Sequence, residues 1–381
     1  MRNLTGLSTE IFRKIGDIPE IEWVSVFPNT IKNYRFYKAI DESEFEGFRH
    51  YYIVIYKDGV SVGIAPCFLM DYPLDTSIEG FAKKPIARLR KAFPSVLSLK
   101  VLICGSPASE GRVGIAPKNR SKTIRALIAG MEGIARTEKA AMIAFKDVPM
   151  DYIKLLGRVL TKHGFHKIDS YPSVKMDIDF SSFEEYMKGL SHSTRKDLRR
   201  KFKKVDSLPK IDLEVCDNID NILDDVYGLY QQTFSRSGVQ FEELPKVFFA
   251  NISKHMPGES KYFLWRINNK LVAFNFCLAS VDTLMDEYIG LDYSFAHDYH
   301  LYFVTFRDII TWCIQNNIKK YESGALTYEP KKRLDCTFSP LSIYVKHRNN
   351  LMNFGLRTVF NFLKPENFDP VLRSMRREAL S

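Results

Sequence analysis

Cysteine is scarce in this chain and widely scattered. Cys67, Cys104, Cys216, Cys277, Cys313 and Cys336 form no C-x-x-C pair and sit mostly among apolar neighbours, which argues against a zinc ribbon or a disulfide framework. No apolar run approaches the roughly 18 residues that a membrane span needs. The stretch from Met1 to Trp23 interleaves charged with apolar residues, unlike a signal peptide. H-E-x-x-H and G-x-x-x-x-G-K-[ST] are missing, so zinc-protease and P-loop chemistry are not indicated. These absences predict a cytoplasmic protein of a reducing compartment, with no stable membrane span and no bound metal.

What is present is an ordinary globular composition on a long chain. The 381 residues exceed one common domain and suit two. Apolar residues make up 45% and charged residues 26%, enough to build a core and too apolar for disorder. The formal charge of +10 favours an anionic partner such as a nucleotide cofactor, a nucleic acid or an acidic membrane.

A repeat runs through the chain at an offset of 210 residues. Tyr52 to Phe68 (YIVIYKDGVSVGIAPCF) aligns without a gap on Tyr262 to Leu278 (YFLWRINNKLVAFNFCL), matching Tyr52 with Tyr262, Val62 with Val272 and Cys67 with Cys277. Asp58-Gly59 and Asn268-Asn269 fall at the same point, and both pairs tolerate positive φ, so each copy reads as a β-hairpin. After an insertion from about Asp71 to Ser98, the first copy continues with a strand at Leu99 to Cys104, a helix near Ser121 to Thr137 and a strand at Ala141 to Phe145. The second continues with a strand at Thr283 to Leu291, a helix near His300 to Asn316 and a strand at Lys319 to Ser323. Each closes on a proline-led strand, Tyr171 to Met176 and Ser339 to Tyr344. The expected fold is α/β with mixed sheets, in two tandem units: residues 1–180, a basic joint helix at 181–210, a second unit at 211–350 and a helical tail at 351–381.

Ser193 to Lys204 reads STRKDLRRKFKK, with seven basic residues and one aspartate in the ten positions from Arg195. Leu198, Phe202 and Val205 recur at helical spacing and leave the cations on the other faces. One reading is a solvated face anchored by three apolar residues. The other is a clamp for an anion, whether a nucleotide, a phosphorylated substrate or tRNA.

Leu190 to Asn349 resembles the BioF2-like/CelD-like members of the GNAT acyltransferase superfamily. The likeness is carried by the basic segment, by KYFLWRINNKLVAFNFCL, DTLMDEYIGLDYSF and LYFVTFRDIITWCIQNNIKKYESGA, and by KKRLDCTFSPLSIYVKHRN. It is more distantly similar to the FemABX peptidyltransferases, which use aminoacyl-tRNA. The resemblance implies two tandem GNAT-like units and acyl transfer onto a small-molecule or peptide amine. Acyl-CoA is the implied co-substrate, with tRNA as the alternative donor and a catalytically silent nucleic-acid-binding or scaffold protein as the rival outside enzymes. The stretch equivalent to the GNAT cofactor loop, Ser294 to Tyr302, contains no glycine. A helix start there still offers amides to phosphate, which makes Tyr299, His300, Leu301 and Tyr302, with Arg199 and Arg200, the cofactor-binding candidates. Gly105 to Gly114 (GSPASEGRVG) holds the matching place in the first copy and reads as a surface loop.

Acyl transfer to an amine needs a proton acceptor, a donor to the oxyanion and a proton for the leaving group. Strict alternation puts Met285, Glu287 and Ile289 on one face of a strand, with Asp286 and Tyr288 on the other. Glu287 is the first candidate base and Asp286 the second, because burial raises a carboxylate's pKa toward neutrality; pairing with a lysine or arginine is the competing reading. Glu322 ends the next strand, where ligands gather in α/β sheets. Tyr328 follows in a loop from which the resemblance implies a proton for a leaving thiolate or ribose oxygen. His297 with His300, and His163 with His166, lack a third ligand at recognisable spacing. In the tail, Phe354, Leu356, Phe360 and Phe362 alternate with Arg357 and Lys364, and packing against the core is expected ahead of contact with an anionic membrane.

Overall fold

The computed structural model describes residues 6–27, 30–73, 98–237, 241–360 and 364–378. Most of the insertion expected between Asp71 and Ser98 lies outside these residues, as do Phe362 and the side chains of Arg357 and Phe360. Both hairpins form at the turns read from the sequence. Asp58 and Gly59 adopt φ of 51° and 80°, and Asn268 and Asn269 adopt 48° and 66°, the left-handed pair that a two-residue hairpin requires.

The chain divides into two compact units, residues 1–171 with 340–381 and residues 172–339. In chain order, unit 1 holds β1 (Leu7–Phe12), α1 (Glu20–Val26), α2 (Tyr34–Glu42), β2 (Arg49–Lys57), β3 (Val60–Pro73), β4 (Ser98–Cys104) and β5 (Gly114–Ile115). It continues with α3 (Arg120–Thr137), β6 (Met142–Pro149), α4 (Met150–Lys162) and the start of β7 (His166–Asp177). Unit 2 follows with α5 (Phe183–Gly189), α6 (His192–Asp206), β8 (Ile211–Cys216), α7 (Leu223–Phe234), α8 (Lys246–His255), β9 (Ser260–Ile267) and β10 (Lys270–Ala279). Then come β11 (Thr283–Leu291), α9 (Tyr293–Ala296), α10 (Leu301–Gln315), β12 (Lys320–Ser323) and α11 (Tyr328–Arg333). The chain returns to unit 1 through β13 (Thr337–His347), followed by α12 (Asn350–Phe360), α13 (Pro365–Phe368) and α14 (Pro370–Glu378).

The units do not follow chain order, because the closing strands are exchanged. β7 pairs with β12 in unit 2, Val174 against Ser323 through Asp177 against Lys320. β13 pairs with β6 in unit 1, Leu341 against Pro149 through His347 against Met142. Consequently the basic helix α6 lies within unit 2, and the tail expected as a separate piece belongs to unit 1.

In unit 1, β1, β2, β3 and β4 are joined antiparallel, and β4 runs parallel to β6. α3 buries Ile124, Leu127, Ile128, Met131 and Ile134 at helical spacing with Ile53, Ile55, Leu69 and Leu102 of the strands in one core cluster. Each such side chain contributes about 1.5–3 kcal/mol of transfer free energy. Gly130 permits that approach, since a Cβ there would stand 2.9 Å from Ile53. In unit 2, β8, β9, β10 and β11 are antiparallel and β11 is parallel to β12. α10 covers the face that carries Phe263 and Trp265, through the Phe263–Trp312 ring contact at 5.3 Å and a bond from Trp265 Nε1 to Asp308 at 2.8 Å. Tyr230 of α7 and Phe249 of α8 cover the opposite face. Among the described residues, no helix is long and apolar enough to cross a membrane.

The tail departs from its expected burial. Phe354 is 78% exposed, because α12 is pinned by its polar residues: Asn353 donates to the Gly164 carbonyl at 2.9 Å and accepts from the His347 amide at 2.8 Å.

Candidate active site

The parallel pair β11–β12 supplies the opening. Its register runs from Thr283 against Lys320 to Asp286 against Ser323, where β12 ends while β11 continues to Leu291. Beyond Asp286 the edge of β11 has lost its partner, at the carboxyl ends of two parallel strands, the position where α/β sheets place ligands.

A β-bulge sits at the same point. Phe276 pairs with Tyr288 and Cys277 with Asp286, which leaves Glu287 as the extra residue on β11. A bulge breaks alternation and re-aims the neighbouring side chains. Asp286 therefore shares a face with Cys277, Asn275 and Ile289, while Tyr288 shares the other with Phe276. The faces expected from strict alternation are thus corrected: Asp286 and Tyr288 are on opposite sides, and Glu287 lies between two registers.

Asp286 is the centre of a polar cluster on the α10 side. Its Oδ1 accepts from Asn275 Nδ2 at 2.8 Å and from the Cys277 thiol at 3.7 Å, and its Oδ2 accepts from the Tyr321 hydroxyl at 2.7 Å. Burial holds the carboxyl above the ordinary aspartate range, against the opposing pull of Asn275, Tyr321 and Lys331. The residue Asp286 is only partly buried, while its carboxyl is enclosed by these donors. Asn275 is 2% exposed, and its Oδ1 has no hydrogen-bond partner. Lys331 Nζ donates to the carbonyls of Gly324 at 2.7 Å and Leu326 at 3.0 Å. Burial pulls its pKa down to about 8, while Asp286 and Cys336 favour the charged form. The loop it grips carries Leu326 and Thr327 at φ of 74° and 52°, a conformation that non-glycine residues hold only under external constraint.

The other predicted residues are dispersed. Glu322 faces the side opposite Asp286 and pairs with Lys175 at 2.9 Å. Tyr328 opens α11, is 1% exposed, and donates its hydroxyl to the Pro172 carbonyl at 2.9 Å. Arg199 pairs with Glu184, and Arg200 with Asp197 at 2.7 Å. Asp197 also receives Lys201 and, at 2.7 Å, Arg333; burial opposes its charge, but these donors hold its carboxyl well below the usual range.

Tyr299, His300, Leu301 and Tyr302 do sit together at the start of α10. His300 occupies the left-handed N-cap position at φ 46°, without a side-chain cap, and its Nε2 is buried without a partner. Leu301 and Tyr299 are buried. Burial raises the pKa of Tyr302, with the Asp286 charge adding to it. The basic helix runs alongside: Lys201 lies 4.7 Å from the Phe303 ring centroid, and Lys204 pairs with Asp298 at 3.3 Å. Burial and then the charges of Lys201, Lys204, His297 and Arg200 keep His300 below its normal pKa. An uncapped helix N-terminus beside these cations suits an anion. Among the described residues, no group of three His, Cys, Asp or Glu side chains could hold a metal ion.

Sequence reasoning passed over Asn275 and Tyr321, and it read Lys331 only with Lys332 and Arg333, as charge beside Tyr328 or a solvated basic loop. Asn275 is the one strongly polar residue after the first position of KLVAFNFCLA, and that interruption of an apolar strand was the available signal.

In unit 1 the stretch from Gly105 to Gly114 is a buried plug, not a surface loop. Gly111 donates to the Lys146 carbonyl at 2.8 Å, Gly105 to the Pro66 carbonyl at 2.8 Å, and Lys146 Nζ to the Pro107 carbonyl at 3.0 Å. A Cβ on Gly111 would lie 2.1 Å from Lys146 O. The G-x-S-x-G spacing at Gly59 to Gly63 lies in the β2–β3 hairpin, where Ser61 is buried beside Ser25 at 3.3 Å; it is not a strand-to-helix elbow.

Comparison with known proteins adds the following. The FemAB-like family model, described as peptidoglycan biosynthesis/recognition, matches residues 14–369. A Mycobacterium tuberculosis protein named "Putative 8-amino-7-oxononanoate synthase 2" is 22% identical over 311 residues, covering 79% of this chain and 40% of that protein. The chain thus spans well under half the length of that curated relative. Among solved structures, FemX superposes with a TM-score of 0.55 at 12% identity, covering 88% of this chain and 96% of that one. A tandem GNAT protein from the clavulanic acid biosynthesis pathway gives 0.55 at 10%, covering 90% and 99%. L-PGS from Bacillus licheniformis gives 0.51 at 9%, covering 88% and 96%. These likenesses show the fold, two GNAT-like units in one chain.

Proposed function

The chain belongs to the FemAB-like family, and on that premise we propose that it transfers an acyl or aminoacyl group from an activated carrier to an amine. The observation that supports this most is Asp286, an enclosed carboxylate with three donors placed where β11 and β12 part. The amine nitrogen forms a bond to the acyl carbon, and the bond from that carbon to the carrier's sulfur or ribose oxygen breaks. The proton leaves the amine for Asp286 and passes from there to the leaving group. Asp286 takes this role ahead of Glu287, because Asp286 receives the three donors and Glu287 is the extra residue of the bulge.

The donor is an acyl-CoA or an aminoacyl-tRNA. Both are polyanions, and both suit the start of α10 beside α6, with Tyr299, His300, Leu301 and Tyr302 supplying the helix end. Arg199 and Arg200 reach phosphate by exchanging Glu184 and Asp197 for it. The family description favours a peptide amine as acceptor. Glu322 and Tyr328 fit structural roles better than proton transfer, since Glu322 lies on the face opposite Asp286 with Lys175 and Tyr328 is buried on the Pro172 carbonyl.

The test is thermal unfolding of the full chain with acyl-CoAs and, separately, charged tRNA, followed by mass spectrometry of amine acceptors. A ligand at a hundredfold over its Kd raises stability by about 2.7 kcal/mol. A shift with either donor, and an amide product that is lost in Asp286→Asn, are expected. No shift and no product with either class would overturn the reading.

A further inference from the structure

The first turn of α12 turns apolar side chains outward and a polar one inward, the reverse of a helix end that packs on a core. Asn349 caps it, accepting from the amides of Leu351 at 2.9 Å and Met352 at 3.1 Å. Asn353 turns inward to Gly164 and His347, and its carbonyl meets His166 Nε2 at 2.9 Å. Three apolar residues of its first turn are left outside, Leu351 at 77%, Met352 at 58% and Phe354 at 78% exposure, while Leu356 is partly buried. Three contacts through Asn353 fix this orientation, so the outward apolar face is a property of the fold.

The surroundings are predominantly basic. On α4, Lys154, Arg158 and Lys162 are exposed at four-residue steps and form a single stripe. That stripe ends beside Gly164, where Asn353 docks. Lys167 is exposed just beyond. The sequence holds no Asp or Glu from 152 to 168 or from 336 to 365, with Asp151 and Asp169 at the ends of the first stretch, and Glu132 is neutralised by Lys346 at 2.7 Å.

From the outward apolar face of α12 and the cationic stripe of α4, we infer that this end of unit 1 docks on an anionic lipid surface. Leu351, Met352 and Phe354 enter the headgroup boundary while the cations meet the phosphates, the arrangement by which interfacial helices bind. Three side chains fall short of the roughly 800 Å² per partner that a stable protein interface buries. A nucleic acid has no use for the apolar trio. The inference does not depend on the transfer reaction.

Co-sedimentation of the full chain with vesicles tests it. Vesicles of mixed phosphatidylglycerol and phosphatidylcholine should carry the protein down, phosphatidylcholine alone should not, and added salt should weaken binding. L351S/F354S and K154E/R158E/K162E should each reduce binding at least tenfold with the melting temperature unchanged. Failure to bind anionic vesicles, or wild-type binding by both variants, would overturn the inference. A dimer in light scattering that L351S/F354S dissolves would assign the face to a second copy and overturn it equally.

Discussion

In unit 1 the parallel pair β4–β6 stops at Cys104 against Phe145, and in unit 2 the pair β11–β12 stops at Asp286 against Ser323. Cys104 also faces Cys67 on β3, as Asp286 faces Cys277 on β10. Pairing register thus equates the two points without any appeal to sequence similarity. Carried one step outward, it equates Ile143 with Tyr321 and Ala65 with Asn275. The polar trio of unit 2 is matched by three buried residues of unit 1 that make no polar cluster, Ala65, Cys104 and Ile143. Unit 1 then closes its opening with its own chain from Gly105 to Val113, where unit 2 leaves partial exposure. A divergent strand pair is a vacancy in the scaffold, and side chains at three registered positions decide whether it becomes packing or chemistry.

Substitution at the equated pair tests this contrast most severely. Asp286→Asn should lower the rate of transfer by about 10²–10⁴-fold, whereas Cys104→Ala should leave the rate per folded molecule unchanged. Steady-state rates normalised to folded protein decide it, and a fully active Asp286→Asn would break the comparison. Next come two glycines. Gly111→Ala forces a methyl into Lys146 O and should cost about 3 kcal/mol; Gly324→Ala, with nothing within 4 Å, should change stability by less than about 0.5 kcal/mol. Urea denaturation measures both, and equal losses would show that the unit 2 loop is plugged as well.

Lys331 gives a smaller effect with a definite sign. Its pKa is about 8 in the fold and about 10.4 in an unfolded chain, so between these values the unfolded state binds more protons. Stability should rise as pH climbs from 8 toward 10, by on the order of 1–2 kcal/mol, and Lys331→Met should remove that rise. Thermal melts across this pH range would show it, and a slope that persists in the variant would place the titration elsewhere. The finest effect concerns Tyr321→Phe. Its hydroxyl favours the charged form of Asp286, so its loss should move the acid limb of the pH–rate profile to higher pH, already above the ordinary carboxylate range in the wild type. A limb that stays put would remove Tyr321 from the cluster.

The hairpins, crossover helices and parallel pairs were legible because each is written locally. Asp58-Gly59 and Asn268-Asn269 state their turn, and Leu198, Phe202 and Val205 state their helix. The exchanged closing strands were not, since Val174 to Asp177 and Leu341 to His347 are equally good strands beside either partner, and the choice is made by long-range packing. The bulge was missed for a related reason. One extra residue reverses every later side chain, so alternation from Met285 to Ile289 gave the wrong face. Lys331 sits in a run of three cations, and nothing local marks which of them is buried. Phe354 was expected inward from its apolarity, and Asn353, which turns α12 around, acts through Gly164 and His166, far away in sequence.

The exchange of β7 and β13 has a consequence for synthesis. As the chain emerges from a ribosome, β6 is complete by Pro149, yet the strand that pairs with it is not made until Leu341 to His347. Throughout the intervening elongation, unit 1 has an open sheet edge of the kind that invites mispairing. Ordinary vectorial folding, in which an N-terminal domain finishes first, is denied to this molecule. Its first half must wait for its last strand, and β7 can anchor unit 2 as soon as Lys320 to Ser323 appears, so the later half of the chain is the one that can close first.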